Sequence, residues 1–290
     1  MRDKEKKAIE RLRIASEMSL THYKKPLLLT YSGGKDSAVL LDLAEKAGVP
    51  FEVLHNHTTV DAPETVYHVR KEFHRLENKG INCNIRYPVY KGEKTSMWKL
   101  IPQKSMPPTR IARYCCEILK ENGGNGRMIA TGVRWAESSK RKSRGIYENI
   151  NRDPNRRIVL NNDNDDRRRL FENCIVKAER TCNPIIDWSN EEVWDYVHSE
   201  KLPINPVYHM GFERVGCIGC PMATTRMRLK EFATWPRYKQ NYISAFGRML
   251  ELKRAKGLND VHNNAEEVYH WWIQDGVLPG QIEMELNEEE

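Results

Sequence analysis

No stretch of the 290-residue chain approaches the roughly 18 consecutive apolar residues that a membrane-spanning helix needs. The opening Met1-Arg2-Asp3-Lys4-Glu5-Lys6-Lys7 lacks the apolar core of a secretory signal. These absences predict a cytoplasmic protein with no membrane partner. They also bear on the seven cysteines, at 83, 115, 116, 174, 182, 217 and 220, because thiols in that compartment stay reduced and serve metal or redox chemistry rather than disulfides. No internal repeat recurs and no recognised nucleic-acid-binding module is present. With 39% hydrophobic and 30% charged residues, the composition excludes a disordered chain.

Lysine and arginine outnumber aspartate and glutamate by 47 to 40. The excess gathers at Arg134, Lys140, Arg141, Lys142, Arg144, Arg152, Arg156 and Arg157, which predicts an anionic ligand; a solvated basic face is the plainer alternative. Arg167 to Arg169 follow Asp163, Asp165 and Asp166, and the chain ends in Glu288-Glu289-Glu290, so part of this charge is locally compensated.

Residues 1–24 carry Ile9, Leu12, Ala15 and Leu20 at near-helical spacing, predicting an amphipathic scaffold helix. Pro26 to Tyr31 then reads as a buried strand, Ser32 to Ser37 as a tight loop, and Ala38 to Lys46 as a helix ended by Gly48. Phe51 to His55, Ile81 to Arg86 and Met128 to Val133 are further strands, with a helix from Pro63 to Lys79. This alternation predicts an α/β fold, a doubly wound and mainly parallel sheet with helices on both faces. Asn151 to Asp166 reads as a mobile loop, and Ser189 with Glu192 as a capping box. Helices near Tyr238 to Lys256 and Ala265 to Trp272 give a mainly helical C-terminal part, whose aromatics, Trp235, Tyr238, Tyr242, Trp271 and Trp272, suit core packing. The expected division is a helix at 1–24, a nucleotide- and cluster-binding domain at 25–222, and a helical extension with an acidic tail at 223–290.

The loop Ser32-Gly33-Gly34-Lys35-Asp36-Ser37 between strand and helix is suited to phosphate. Two glycines permit positive φ and close backbone approach, and the following helix presents unsatisfied N–H groups. Ser32 and Ser37 add hydroxyls, Lys35 a positive charge, and Asp36 a carboxylate for the magnesium that accompanies a triphosphate. A bare strand-to-helix turn would need the glycines alone. The spacing is not that of a Walker A loop.

This loop resembles the SGGxDS loop of the ATP pyrophosphatase (PP-loop) superfamily. Pro63-Glu64-Thr65, Thr131-Gly132-Val133-Arg134 with Glu137-Ser138, Asn183 to Trp188, Val193-Trp194 and Leu202-Pro203-Ile204-Asn205-Pro206 extend the resemblance, over roughly residues 26–222, to the phosphoadenosine phosphosulfate (PAPS) reductase branch. The resemblance implies an adenine nucleotide alpha hydrolase-like fold and an adenine nucleotide ligand, ATP or a sulfonucleotide (PAPS or adenylyl sulfate). It assigns Lys35, Asp36 and Arg134 to catalysis, and Gly132, Arg134, Arg141 and Arg144, with the loop, to the nucleotide or an anionic substrate.

Cys115-Cys116 and Cys217-Ile218-Gly219-Cys220 supply four thiols, suited to one tetrahedral-type site. Zinc, a thioredoxin-like pair or ordinary buried cysteines remain alternatives on spacing alone. The resemblance favours a 4Fe-4S cluster, because the iron–sulfur adenylyl-sulfate reductases and DndC-like DNA-phosphorothioation proteins carry a cysteine pair followed by a C-x-x-C. Cys83 reads as a core strand residue, and Cys174 and Cys182, beside a basic stretch, as candidate reactive thiols. Reductases of this kind act through a cysteine near the C-terminus, and no cysteine follows Cys220 here. The leading expectation is therefore an ATP-dependent enzyme that adenylates a substrate, releases pyrophosphate and lets sulfur displace AMP. A reductase using Cys174, Cys182 or a partner's thiol is the alternative, and a nucleotide-binding part of a nucleic-acid modification system the third. A sulfur- or electron-donor protein is the expected partner, and residues 281–290 are expected to be dispensable.

Overall fold

The computed structural model describes residues 2–120, 124, 126–138, 141–150, 158–160 and 179–274. The chain forms two compact units that do not follow chain order. The first comprises Met1–Asn56, Pro63–Arg86 and Asn122–Val215, and the second His57–Ala62, Tyr87–Glu121 and Gly216–Glu290.

The first unit contains helix α1 (Arg2–Met18), strand β1 (Leu27–Thr30), helix α2 (Lys35–Ala47), strand β2 (Phe51–Asn56), helix α3 (Pro63–Glu77) and strand β3 (Cys83–Arg86). Leu27, Leu28 and Leu29 are all buried, as a parallel strand covered on both faces requires. Strand β1 pairs in parallel with β2, Leu27 opposite Phe51, and β2 with β3, Val53 opposite Cys83. On the other side of β1 lies β6 (Met128–Ala130), then β9 (Glu179–Cys182), both parallel to it. The seven-stranded order, with β7 (Tyr147–Ile150) and β8 (Ile158–Leu160), is β3-β2-β1-β6-β9-β7-β8. The order reverses at β1, so the loop after β1 stands at the switch point where open α/β sheets bind ligands.

The mainly parallel, doubly wound reading thus holds, with one correction. Strand β8 falls inside the stretch read as a loop, and β7 runs antiparallel to both β8 and β9. The triplet Ile158-Val159-Leu160 was hidden in a polar surround. The rest of that loop, Cys174, Lys140, Arg152, Arg156, Arg157, Arg167 to Arg169 and the tail at 281–290 lie outside the described residues. Gly48 closes α2 in the left-handed region at φ 65°. Helix α6 (Asn190–Ser199) begins on the expected box, with Ser189 Oγ accepting from the Glu192 amide and the Glu192 carboxylate accepting from the Ser189 amide.

Cys182 has no exposed surface, and its Sγ lies 3.8 Å from the Arg11 carbonyl. That burial removes it as a relocated nucleophile and corrects its reading as a reactive thiol. Cys83 is half-buried beside the core, its thiol pushed up to about 11 chiefly by burial.

Helix α1 buries Ala8, Leu12, Ala15 and Met18 in the same core. Its Arg11, 4% exposed, donates to the Pro184 carbonyl at 2.8 Å and to Asp187 at 2.9 Å.

The second unit holds the β4 (Val89–Tyr90) and β5 (Glu93–Lys94) hairpin and helices α4 (Met97–Lys104), α5 (Tyr114–Leu119), α7 (Thr225–Thr234), α8 (Pro236–Ala255) and α9 (Ala265–Ile273). Phe232, Tyr242, Phe246 and Trp272 fill its interior, the Tyr242 and Trp272 rings 4.7 Å apart. Among the described residues no helix is long and apolar enough to cross a membrane.

Removing the Asp187 carboxylate strands the Arg11 charge in a buried site. Asp187→Ala is expected to destabilise the chain by about 3 kcal/mol, measured by urea denaturation; a loss near zero would show the pair to be idle.

Candidate functional site

In the first unit the chain leaves β1 through Tyr31 and turns at Gly33, φ 78°, a conformation that suits glycine. A Cβ on Gly33 would stand 3.1 Å from Val69 and 3.3 Å from Thr65 of α3. Gly34, extended at φ −90°, caps α2 without a side chain. Ser37 Oγ donates to the Gly34 carbonyl at 2.8 Å and meets Ser32 Oγ at 3.2 Å, so the two predicted hydroxyls brace the loop from inside. The first-turn N–H groups of α2 carry the positive end of the helix dipole.

Asp36 is the electrostatic centre of the loop. One carboxylate oxygen accepts from Arg134 Nε at 2.6 Å, and the other from Lys35 Nζ at 3.2 Å. Arg134 is 2% exposed, and its remaining nitrogens reach the Trp188 carbonyl at 3.2 Å and Asn190 at 3.5 Å. The guanidinium expected to touch a nucleotide is therefore occupied within the protein and holds Asp36 in place. Arg141 pairs with Glu137, and Arg144 with the buried Glu148 at 2.6 Å, so these two arginines also spend their charge on carboxylates in this structure. Gly132 is where the chain after β6 passes the loop most closely. A Cβ there would meet the Asp36 carbonyl carbon and oxygen at 3.0 Å and the Ser37 nitrogen at 3.2 Å.

A short helical turn at Pro206–Tyr208 backs the loop. Asn205, at its start, donates from Nδ2 to the Gly33 carbonyl and to Thr65 Oγ1, both at 3.1 Å. Tyr208 Oη accepts from the Lys35 amide at 2.9 Å. Trp194 stands edge-on to Tyr208, with Lys35 Nζ 5.9 Å from its ring centroid. Beneath, Tyr31 Oη meets His68 Nε2 at 3.0 Å; burial lowers the pKa of His68, against the opposing pull of Glu72, and holds the phenol of Tyr31 protonated. Sequence reading flagged Thr65, Trp194 and Asn205 only inside motifs and missed Tyr208 and His68, which no local pattern marks.

Gly132→Ala pushes against main chain rather than a flexible side chain. Nucleotide affinity is expected to fall about tenfold or more, while Gly34→Val, crowding the Tyr208 hydroxyl, abolishes it. Calorimetric titration with ATP checks both; unchanged affinity in either would reduce the loop to a structural turn.

The second unit brings the four predicted cysteines into one electrostatic neighbourhood, Cys115 sensing Cys116, Cys217 and Cys220. Cys115 and Cys116 open α5, and the C-x-x-C turn is set by Gly219 at φ 72°, where a Cβ would stand 2.7 Å from Phe232. The Gly219 amide donates to Glu231 at 2.7 Å and Tyr242 Oη to the Ile218 carbonyl at 3.0 Å. Cys217 Sγ donates to Thr58 Oγ1 at 3.4 Å, and Thr58 is itself fixed by Asp61 at 2.7 Å. Arg113 lies 3.5 Å from Cys116 Sγ, and Lys120 stands within electrostatic reach of Cys217, Cys220 and Cys116. Thr58, Asp61 and Lys120 were not foreseen.

A hydrogen bond from Cys115, then the Arg113 and Lys120 charges, lower the Cys116 pKa against the cost of burial; the same hydrogen bond and burial raise Cys115. Burial raises Cys217, with Lys120 opposing. Among the described residues no group of three or more His, Cys, Asp or Glu side chains is arranged to hold a metal ion as it stands. Because a depressed pKa keeps the thiolate at lower pH, iodoacetamide at pH 6.5 is expected to label Cys116 before Cys115 in metal-free protein. Peptide mass spectrometry checks the order, and equal labelling would contradict it.

The chain matches the model of the phosphoadenosine phosphosulfate reductase domain over residues 26–223. It is 30% identical, over 68% of its own length and 36% of the other's, to an uncharacterized protein of Methanocaldococcus jannaschii. It is 28% identical to the sulfate adenylyltransferase subunit 2 of Magnetococcus marinus, covering 65% of this chain and 62% of that one. It is 27% identical to the adenosine 5'-phosphosulfate reductase of Anoxybacillus flavithermus, covering 69% and 74%. The chain spans between about a third and two thirds of the length of the first of these relatives.

Proposed function

Because the chain belongs to the phosphoadenosine phosphosulfate reductase domain family, we propose that it binds ATP on the loop at 32–37 and adenylates an oxygen of its substrate for sulfur transfer. The observation that carries this reading is the loop itself, a two-glycine turn at the sheet's switch point that runs directly into a helix N-terminus. The name of the adenylyltransferase relative supports adenylyl transfer.

In the proposed step a substrate oxygen attacks the α-phosphorus, the bond to the bridging oxygen breaks, and pyrophosphate departs with the electron pair. Lys35 and the first-turn amides of α2 face the charge that grows on the leaving group. A sulfur nucleophile, delivered by a donor protein, then displaces AMP. Arg134 acts as a positioning residue by fixing Asp36. Asp36 does not fit the magnesium role in this arrangement, since both its oxygens are held by cations.

The thiol set fits a 4Fe-4S cluster in its chemistry. Four cysteine thiols in one neighbourhood are the donor set such a cluster takes, and Arg113 and Lys120 complement its negative charge. Cys115, Cys116, Cys217 and Cys220 would hold it. When bound, such a cluster supplies an electron store or a Lewis-acidic iron.

A second reading, reduction of a sulfonucleotide, is favoured by the name of the reductase relative. With Cys182 buried, its thiol would come from Cys174 or a partner.

The reconstituted full chain with ATP is expected to release pyrophosphate and form AMP. Sulfite from adenylyl sulfate or PAPS with thioredoxin, and no pyrophosphate from ATP, would establish the second reading instead. Cys116→Ser and Cys217→Ser are expected to lose iron and labile sulfide, counted after anaerobic purification, and to melt earlier than the wild type. Wild-type iron in either would overturn the four-cysteine assignment.

A further inference from the structure

The second unit carries exposed apolar side chains on the segments that hold its cysteines. Ile111 is 96% exposed, and Met106 and Met222 are 39% and 45% exposed. The two segments lie against one another: Arg110 Nε donates to the Pro221 carbonyl at 3.2 Å, and Tyr114 Oη donates to the Met106 carbonyl at 2.8 Å. Cys116 and Cys220 are the half-buried members of the four thiols and belong to the same two segments, whereas Cys115 and Cys217 are buried. An apolar patch rimmed by charge marks a surface that meets another.

Between residues 104 and 120 the chain sets Lys104, Arg110, Arg113 and Lys120 against one carboxylate, Glu117. A segment complementary to this surface lies in the same chain. Residues 281–290 carry Glu283, Glu285, Glu288, Glu289 and Glu290 with no basic residue, and Ile282, Met284 and Leu286 fall at every second position, so that in extended form one side is apolar. The chain departs toward that segment from beside the patch. At the end of α9, Trp272 Nε1 donates to the Pro108 carbonyl at 2.7 Å, and Thr225 Oγ1 donates to the Ile273 carbonyl at 3.2 Å. Ile111 follows Pro108 by three residues, at most about 10 Å of chain. The eight residues from Asp275 to Ile282 span up to about 26 Å, and Pro279-Gly280 is a turn-forming pair within them.

We propose that residues 281–290 dock on this patch, with Ile282, Met284 and Leu286 on Met106, Ile111 and Met222 and with Glu288 to Glu290 over Arg110 and Arg113, and thereby cover Cys116 and Cys220. Tethering makes a weak contact sufficient, because a segment on so short a linker acts at a roughly millimolar effective concentration. Three apolar contacts and a few exposed ion pairs then hold the segment in place and still let a partner displace it. The ion pairs lie at the surface, so salt weakens them. The docking depends on neither the nucleotide reading nor the cluster, since the surface it covers belongs to the polypeptide. A donor protein that reaches these thiols must first move the acidic segment.

Hydrogen exchange in the peptide carrying Thr109 to Arg113 compares the full chain with one ending at Gly280, which keeps all of α9. At low salt the full chain is expected to exchange about tenfold more slowly, and its rate should rise toward that of the shortened chain at about 1 M salt, where the screening length falls to about 3 Å. Ile111→Asp in the full chain places a like charge among the glutamates at a side chain that is 96% exposed. Its thermal melt should therefore match the wild type while its exchange matches the shortened chain. Glutamyl endopeptidase should also cut at Glu283 and Glu285 faster in this variant than in the wild type. Equal exchange in wild type and Ile111→Asp, with equal cleavage, would overturn the proposal. Protection that disappears on dilution of the full chain would assign the patch to a second copy and overturn it as well. These measurements need no nucleotide and no iron, so their failure leaves the proposed adenylation and the four-cysteine assignment to their own tests.

Discussion

The ion pair between Asp36 and Arg134 is the constraint on which the first unit's site depends. Its partners come from the start of α2 and from the turn after β6, two loops brought together only because β6 lies next to β1. A guanidinium that is almost wholly buried is costly unless every nitrogen is engaged. Arg134 meets that condition through Asp36, the Trp188 carbonyl and Asn190. One residue therefore ties the glycine loop, the β6 turn and the chain entering α6 into a single rigid support. Gly132 follows from the same contact, since any side chain there would push the first turn of α2 away from its partner. The main chain of the loop is thereby fixed in place, as preorganised donors for the proposed phosphate ligand would need to be.

The second unit obeys a comparable rule with sulfur in place of phosphate. Its thiols come from two distant stretches, and each stretch is fixed by contacts that have nothing to do with sulfur. Gly219 packs against Phe232, Tyr242 and Trp272, Glu231 takes the Gly219 amide, and Thr58 with Asp61 takes Cys217. The aromatic interior thus sets the C-x-x-C turn, while the hydrogen bond from Cys115, with the Arg113 and Lys120 charges, lowers the pKa of Cys116 and burial raises that of Cys217.

Strand, glycine loop and capped helix were legible in sequence because each rests on local chemistry: an apolar run, a pair of glycines, a Ser-x-x-Glu box. The cysteine pairs were legible as spacing. Strand β8 was not, because three apolar residues in a polar stretch carry too little periodicity to stand out. Nor were the roles of the arginines. A basic residue near an expected anion site reads as a ligand contact, yet Arg134, Arg141 and Arg144 each meet a carboxylate, and only the fold brings Asp36 to Arg134. Cys182 misled for the same reason, since basic neighbours in sequence do not reveal a thiol buried beneath α1. Tyr208 could not have been singled out at all, because its partner amide is more than 170 residues away.

Hydrogen exchange at the backbone amides of residues 32–37 tests the central claim most directly. With saturating ATP the Lys35, Asp36 and Ser37 amides are expected to gain protection while the C-terminal turn of α2 does not change. Exchange at those amides that is indifferent to ATP would contradict the account, and protection confined to the second unit would move the nucleotide to a different site.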